Sequence, residues 1–348
     1  MQNPNTGLTV LQLNCHLKTQ VNSEVDKWMS KQTTAIALLQ EPGQNKGKIK
    51  NFSKDKTIMT GTENAEKCRT CIVASPDLKI FKLSQFSNKD HTTVILKNAI
   101  TNDKFVFSSV YMPYDSPTTP PDELMKNLVE HCQTCNLKLI IGSDTNCHNE
   151  IWGSSDNNSR GDDLLEYIVS TNLHICNTGN SPTFINVIRQ EVLDVTLVSQ
   201  NAIEHIAFWE VLNKDMLSDH RAISFEVNFE IEFVESTYRN VRTTDWDKFR
   251  LKLRDELGDV NENEGINEQT ESLNKAIKIA YNENCREKKR KKGGKPDWWD
   301  KELTELKNDY RQKRKEYMRD KTEEKRIERN QADEKYKKKL DGKITVTQ

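Results

Sequence analysis

No stretch of the chain approaches the ~18 consecutive apolar residues that a membrane-spanning helix needs, so no such helix is expected. The first residues, Met1 to Gly7, are polar and lack the layout of a secretory signal. Cysteine is sparse, eight in 348 residues. With no signal segment, that predicts reduced thiols in a cytosolic or nuclear protein rather than a disulfide scaffold. Two C-x-x-C pairs occur, Cys68/Cys71 and Cys132/Cys135. A zinc site prefers such pairs ~15–20 residues apart; about 60 residues intervene here, and distant pairs would have to meet in space. Cys132 and Cys135 continue a helical stripe begun by Leu124 and Leu128, so they read as small apolar residues on a buried helix face. Internal repeats are absent.

What the chain does have is charge, 30% of residues against 34% apolar. A core is possible, but part of the chain must be heavily solvated. The formal net charge of −1 hides an asymmetry. From Arg286 to Leu340 there are 22 Lys+Arg and 13 Asp+Glu, an excess of nine; Asp341 and Lys343 cancel, which leaves −10 on the chain before Arg286. An acidic body with a basic tail predicts two jobs. The tail, with Lys288 to Lys292 at its start, would neutralise nucleic-acid phosphates or act as a solvated face or import signal. On that reading, removing residues 286–348 weakens DNA binding and leaves catalysis intact.

Apolar runs that end in polar residues organise the rest. Leu8 to Cys15 reads as a strand ending in Gln12 and Asn14. A short helix carrying Val25, Trp28 and Met29 leads to a second strand, Ala35 to Leu39, which delivers Gln40 and Glu41. β-like runs follow around 57–59, 71–74, 92–97 and 104–111, the last ending at Tyr111. Pro120-Pro121-Asp122 opens a helix. Leu137 to Ile141 is a short buried strand, followed by Asp144, Asn146 and His148 at alternate positions. A helix spans Gly161 to Ser170. Val192 to Ser199, Ile206 to Leu212 and Ala222 to Phe229 read as closing strands. Site candidates thus come from many strand ends over about 200 residues, which predicts one α/β domain of two packed sheets with outer helices, residues 1–230. Residues 231–348 read as a helical, basic connector: a capped helix at Thr244-Asp245-Trp246, an amphipathic helix with Leu273, Ala276, Ile277, Ala280 and Tyr281, and from 300 to 340 an exposed or partner-dependent helix.

The polar residues describe metal-assisted phosphoester hydrolysis. Glu41 and Asp219 are hard oxygen ligands and Asn14 can add an amide oxygen, a set that suits Mg²⁺ beside a phosphate; no matching His/Cys set for zinc is present. His220 follows Asp219, with Asp194 available to orient its ring. Asp144 and Asn146 are placed to hold an attacking water and a phosphate oxygen, and Tyr111 to steady a phosphate oxygen or the leaving oxygen. Taken singly, Glu41 reads equally as a surface carboxylate and Tyr111 as a core-edge tyrosine. Asp194 is different, because a charge inside Val192-Leu193-Asp194-Val195-Thr196-Leu197 needs a partner. His174, between Leu173 and Ile175, reads as structural.

The ordered set Gln12-Leu13-Asn14, Gln40-Glu41, Tyr111, Ser143-Asp144-Thr145-Asn146, Asp194 and Ser218-Asp219-His220 resembles the endonuclease/exonuclease/phosphatase superfamily. Its flanks, Trp152-Gly153-Ser154-Ser155, Arg160-Gly161, Pro182-Thr183-Phe184 and Leu217-Ser218-Asp219-His220-Arg221, resemble the endonuclease of jockey-like non-LTR retrotransposons over about residues 8–229. Trp246 and Pro296-Asp297-Trp298-Trp299 look like the connector such elements place before their reverse transcriptase. The resemblance implies a four-layer α/β sandwich that nicks double-stranded DNA with Mg²⁺ (Mn²⁺ substituting) and leaves a 3′-hydroxyl. It implies metal-site roles for Glu41, Asn14 and Asp219, and catalytic roles for His220, Asp194, Asp144, Asn146 and Tyr111. Thr183 and Ser218 would touch the site or the DNA backbone. A nuclear location, and a reverse transcriptase module or element RNA as partners of a longer protein, are implied as well; the chain itself would then be a fragment or a truncated element copy. An abasic-site nuclease or a phosphatase of the same superfamily, and an inactive nucleic-acid-binding remnant, are the alternatives. Ser143 stands where the family usually has glycine, a change that is tolerated unless the turn is left-handed.

Overall fold

Short apolar runs covered on both faces become the central strands. In the computed structural model, which describes residues 7–62, 67–98, 101–228, 237–258, 265–289 and 299–347, β1 (Gly7–Asn14) and β2 (Ala35–Gln40) pair in parallel, with Asn14 opposite Gln40. Every residue of β2 is buried. The remaining main strands are β3 (Thr57–Thr60), β4 (Thr70–Ala74), β5 (Phe81–Lys82), β6 (His91–Lys97), β7 (Lys104–Tyr111), β8 (Lys138–Asp144), β9 (Leu173–Ile175), the short hairpin β10 (Phe184–Ile185) and β11 (Gln190–Glu191), β12 (Asp194–Ser199), β13 (Ile206–Val211) and β14 (Ile223–Asn228). One six-stranded sheet runs β13-β14-β1-β2-β4-β3, the other β9-β12-β8-β7-β6-β5.

The chain divides into two compact units, residues 1–232 with 293–348, and residues 233–292. In the first unit the sheets pack face to face through Val10, Ile36, Leu38, Ile72, Phe105, Phe107, Ile140 and Phe225, each worth roughly 1.5–3 kcal/mol when fully buried. Near the ends that carry the site, glutamines tie sheet to sheet. Gln12 Nε2 donates to the carbonyls of Ser143 (3.1 Å) and Val195 (3.3 Å), and its Oε1 accepts from Thr196 Oγ1 at 2.8 Å. Gln40 Nε2 donates to Ser109 Oγ and the Gly142 carbonyl. Gly142 is required by this approach: a Cβ there would lie 2.9 Å from Leu38 Cδ1 and 3.0 Å from Gln12 Oε1. Ser143 lies in the extended strand β8 and donates its hydroxyl to the Val195 carbonyl at 2.8 Å, so serine fits where a glycine is usual.

Helices complete four layers. α2 (Glu123–Thr134) and α3 (Ser159–Ser170) cover the second sheet with Met125, Leu128, Val129, Cys132, Leu164 and Ile168. Cys135 departs from the expected stripe; it lies past the end of α2 and is exposed. α1 (Thr19–Met29) lies on the first sheet through Val21, Val25, Trp28 and Met29, the i, i+4, i+7, i+8 spacing of an amphipathic helix. Ten of its eleven residues are buried, which one sheet face cannot achieve. The rest of the cover is a C-terminal hairpin, α6 (Lys301–Asp320) and α7 (Glu323–Thr347), whose Leu303, Tyr310, Ala332, Tyr336 and Leu340 join the same apolar cluster. The expectation of an exposed helix over 300–340 is therefore corrected: Leu303, Tyr310 and Tyr336 are buried in the cluster that covers α1, although Ile327 stays exposed.

The second unit contains α4 (Trp246–Leu257) and α5 (Ile266–Asn284), with a short pairing of Thr237–Arg239 and Glu287–Lys289. The Asp245 side chain accepts from the Lys248 amide and caps α4 as expected. Of the amphipathic stripe of α5, Ala276 and Ala280 are buried, while Leu273 and Ile277 are exposed. Phe229, residues 261–264, Arg290 to Lys292 and Pro296 to Trp298 lie outside the described residues.

Candidate active site

Strand register brings three of the expected residues side by side. Asp144, the last residue of β8, pairs with Tyr111 at the end of β7 on one side and with Asp194 at the start of β12 on the other. His220 reaches this row from the turn before β14, and its Nδ1 lies 2.8 Å from Asp194 Oδ2. The pair is nearly closed to solvent, with side-chain exposures of 6% and 2%. From the first sheet, Asn14 Nδ2 donates to Asp144 Oδ2 at 2.7 Å. Its Oδ1 accepts the His16 amide at 2.7 Å, so the amide oxygen expected to face a metal is already engaged by the backbone.

Thr183 and Ser218, expected to touch the site or the DNA backbone, are turned inward and serve the backbone of the site. Thr183 is fully buried, and its hydroxyl accepts the amides of Leu193 and Asp194, each at 3.1 Å. It therefore sets the backbone that carries Asp194. Ser218 Oγ donates to the Asn14 carbonyl at 2.7 Å and accepts the His220 amide at 3.2 Å, tying the turn that carries His220 to the end of β1 in the same sheet. The amides of Ile185 and Arg221 donate to the carbonyls of Asp219 and Thr183. Phe184 lies against the His220 ring, centroids 5.0 Å apart.

Glu41 and Asn146 hold unusual backbone conformations. His16, Leu17, Glu41, Asn146 and Leu217, all around the site, have φ between +44° and +67°, a region that costs non-glycine residues of order 1–3 kcal/mol. The turn at Glu41 is held by its amide on the Arg69 carbonyl (2.7 Å) and by the Leu17 amide on its own carbonyl (2.8 Å). Asn146 donates from Nδ2 to the Met112 carbonyl at 3.0 Å. Tyr111 is half-buried, with the Arg69 guanidinium 5.1 Å from its ring centre.

The electrostatics separate the titrating groups. Burial pushes Asp144 up to about 7; His220 and the Asn14 amide oppose the shift, and the Asp194 carboxylate adds to it. For His220 burial works against the charged ring, yet the Asp194 charge and hydrogen bond, with Asp144 and Asp219 behind them, raise it to about 9. Burial, then the charges of Glu41 and Asp144, push the Tyr111 phenol above its ordinary value, so it stays protonated. Asp219 loses solvent as well, but Lys18, His16 and Arg314 hold its carboxyl below the usual value.

Among the described residues two sets of at least three ligand groups come together, Asp144/Asp194/His220 and His148/Asp156/Glu191. Neither contains Glu41, Asp219 or a cysteine. The first set fits a hard cation nearby. Asp194 Oδ1 is buried without a hydrogen-bond partner, Asp144 lies opposite it in the strand register, and carboxylate oxygens of this kind are what a hard cation takes. Asp219 and, more weakly, Glu41 both favour the charged form of the His16 ring, so the two carboxylates lie near the same side chain. The second set already holds a cation: Arg189 Nη2 lies 2.8 Å from His148 Nε2 and 3.5 Å from Glu191 Oε2. The sequence pattern assigns His148 nothing, and it gives no signal for His16, Lys18 and Arg314, which surround Asp219.

Residues 105–224 match the family described as "Endonuclease-reverse transcriptase". The matched stretch lies in the first unit and is similar to retrotransposon-type endonucleases. Over 274 residues the chain is 23% identical to the "Retrovirus-related Pol polyprotein from type-1 retrotransposable element R1" of Bradysia coprophila, a match that takes in 71% of this chain and 26% of that protein. The chain thus spans about a quarter of that relative's length. In fold it is similar to the endonuclease domain of TRAS1, a telomere-specific non-LTR retrotransposon (TM-score 0.54, 24% identity), with 64% of this chain covering 99% of that domain. It is equally similar to the AP endonuclease LMAP from Leishmania major (TM-score 0.54, 11% identity, 65% of this chain and 89% of the other). About a third of this chain lies outside either match.

Proposed function

We propose that the chain is a divalent-metal-dependent DNA endonuclease that cuts one strand of a duplex and leaves a 3′-hydroxyl for reverse transcription. The observation that carries this reading is the in-register row Tyr111–Asp144–Asp194, completed by Asn14 and His220, in a retrotransposon-type endonuclease domain. Glu41 and Asp219 would hold Mg²⁺ or Mn²⁺, while the Asn14 amide, committed to Asp144 and the His16 backbone, orients the site beside them. When bound, the metal supplies positive charge against the charge that develops on the phosphate.

The chain's own groups do the rest. Asp144, with a pKa near 7, accepts a proton from the attacking water, whose oxygen bonds to phosphorus as the P–O3′ bond breaks. His220, charged at neutral pH and held through Nδ1 by Asp194, presents Nε2 to a non-bridging oxygen, and the Asn146 amide does the same. The Tyr111 phenol hydrogen-bonds the leaving O3′, which takes its proton from solvent. In this reading the substrate is nuclear double-stranded DNA, and a longer protein adds the reverse transcriptase module and element RNA. Supercoiled-plasmid nicking tests the proposal: Mg²⁺ supports conversion to open circles, and excess chelator abolishes it. Full nicking in chelator overturns it.

A further inference from the structure

The turn that carries His220 is gripped by a part of the chain outside the family match, which ends at residue 224. Leu217 holds φ +67°, a strained conformation that its surroundings must maintain. Asp215 Oδ1 accepts the Leu217 amide at 2.8 Å and also receives Arg314 Nη1 at 2.8 Å. Arg314 Nη2 donates to the Ser218 carbonyl and stands 3.3 Å from Asp219 Oδ1. A single planar guanidinium thus spans three residues of the turn, which a point-charged ammonium cannot do. The helix that supplies it is anchored. One helical turn earlier Arg311 Nη2 donates to the Asp215 carbonyl at 2.6 Å and lies 3.2 Å from the buried Glu24 carboxylate, and Lys307 Nζ lies 2.6 Å from Glu24 Oε1. Leu303, Tyr310 and Tyr336 pack in the cluster that holds Val21, Val25 and Trp28 of α1.

We propose that Arg314 is a positioning residue of the nuclease and that the α6–α7 hairpin is a working part of it, holding the 215–219 turn so that Ser218 meets Asn14 and His220 meets Asp194. The proposal rests on the endonuclease reading for its consequence, though not for its geometry. Arg314 acts through the turn and touches no reacting atom. The expectation that residues 286–348 are dispensable for catalysis is thereby replaced: the hairpin supplies core packing and orders the site.

The test uses full-length wild type, Arg314→Ala and Arg314→Lys, with two measurements. The first is backbone amide exchange across 215–220 in metal-free protein, which needs no activity. The second is kcat and KM for plasmid nicking. In Arg314→Ala the turn exchanges at least about tenfold faster while β1 and β8 keep their protection, and kcat falls about tenfold or more with KM within about twofold. Arg314→Lys falls between the two. Unchanged exchange overturns the clamp. A raised KM at constant kcat overturns it in favour of direct DNA contact, and exchange accelerated uniformly over the domain overturns it in favour of a purely structural role. If Arg314→Ala does not fold, Arg314→Lys carries the same measurements. If wild type does not nick, the endonuclease reading fails and the exchange arm alone decides the clamp.

Discussion

Replacing Asp194 by asparagine keeps the shape of the site and removes one charge from a closed pair. In the wild type that charge is what lifts His220 to about 9 against the pull of burial. A folded-state value raised above the unfolded value of about 6.5 contributes stability that is fully present below about pH 6.5 and is lost as pH rises through about 9. Each tenfold gain in proton affinity is worth about 1.4 kcal/mol, so the full contribution is about 3 kcal/mol, and about 2 kcal/mol of it disappears between about pH 7.5 and 9.5. That window lies above most of the Asp144 titration, so it isolates His220. In Asp194→Asn an amide can still meet Nδ1, but burial is no longer offset, and His220 falls toward its unfolded value or below. Urea unfolding of metal-free protein at half-unit pH intervals measures both proteins. The expected result is a stability gap that narrows by about 2 kcal/mol from about pH 7.5 to 9.5. A gap that stays flat across this window would show that Asp194 does not set the charge of His220, and the assignment of a charged His220 to the phosphate would fall with it.

Gly142→Ala is expected to destabilise by about 1–3 kcal/mol, because its methyl group meets Leu38 and Gln12 of the facing sheet; a thermal melt unchanged within a degree would refute this. Removal of residues 299–348 strips the outer face of α1 and leaves Glu24 without Lys307 and Arg311, so insoluble or partly unfolded protein by circular dichroism is expected. A soluble, fully folded and active truncation would contradict the placement of the hairpin in the core.

The parts of the fold that announce themselves in sequence are those built from local pattern. β1, β2, β7 and β8 are apolar-rich stretches, and Asn14, Glu41, Tyr111 and Asp144 stand at or next to their ends, where a rigid strand can present a polar group. Asp194 is legible because an isolated charge in an apolar strand demands a partner, and His220 is that partner. The direction in which Thr183 and Ser218 point is not legible. A hydroxyl serves a backbone or a substrate equally well, and only the fold shows that Thr183 faces the amides of Leu193 and Asp194. The α6–α7 hairpin escapes a reading of the sequence for a different reason. Its apolar residues are diluted among charges, and the charges that matter find partners some 90 to 290 residues away, Arg314 with Asp215 and Lys307 with Glu24. Long-range ion pairs leave no periodicity along the chain.

The most direct measurement of the central claim is nicking of supercoiled plasmid by wild type, Glu41→Ala and His220→Ala in Mg²⁺, followed by polymerase extension from the nick without prior end treatment. The account predicts nicking by wild type, loss of about a thousandfold or more in each variant, and immediate extension from a free 3′-hydroxyl. Undiminished nicking by the variants, or nicks that must be dephosphorylated before they can be extended, would contradict it.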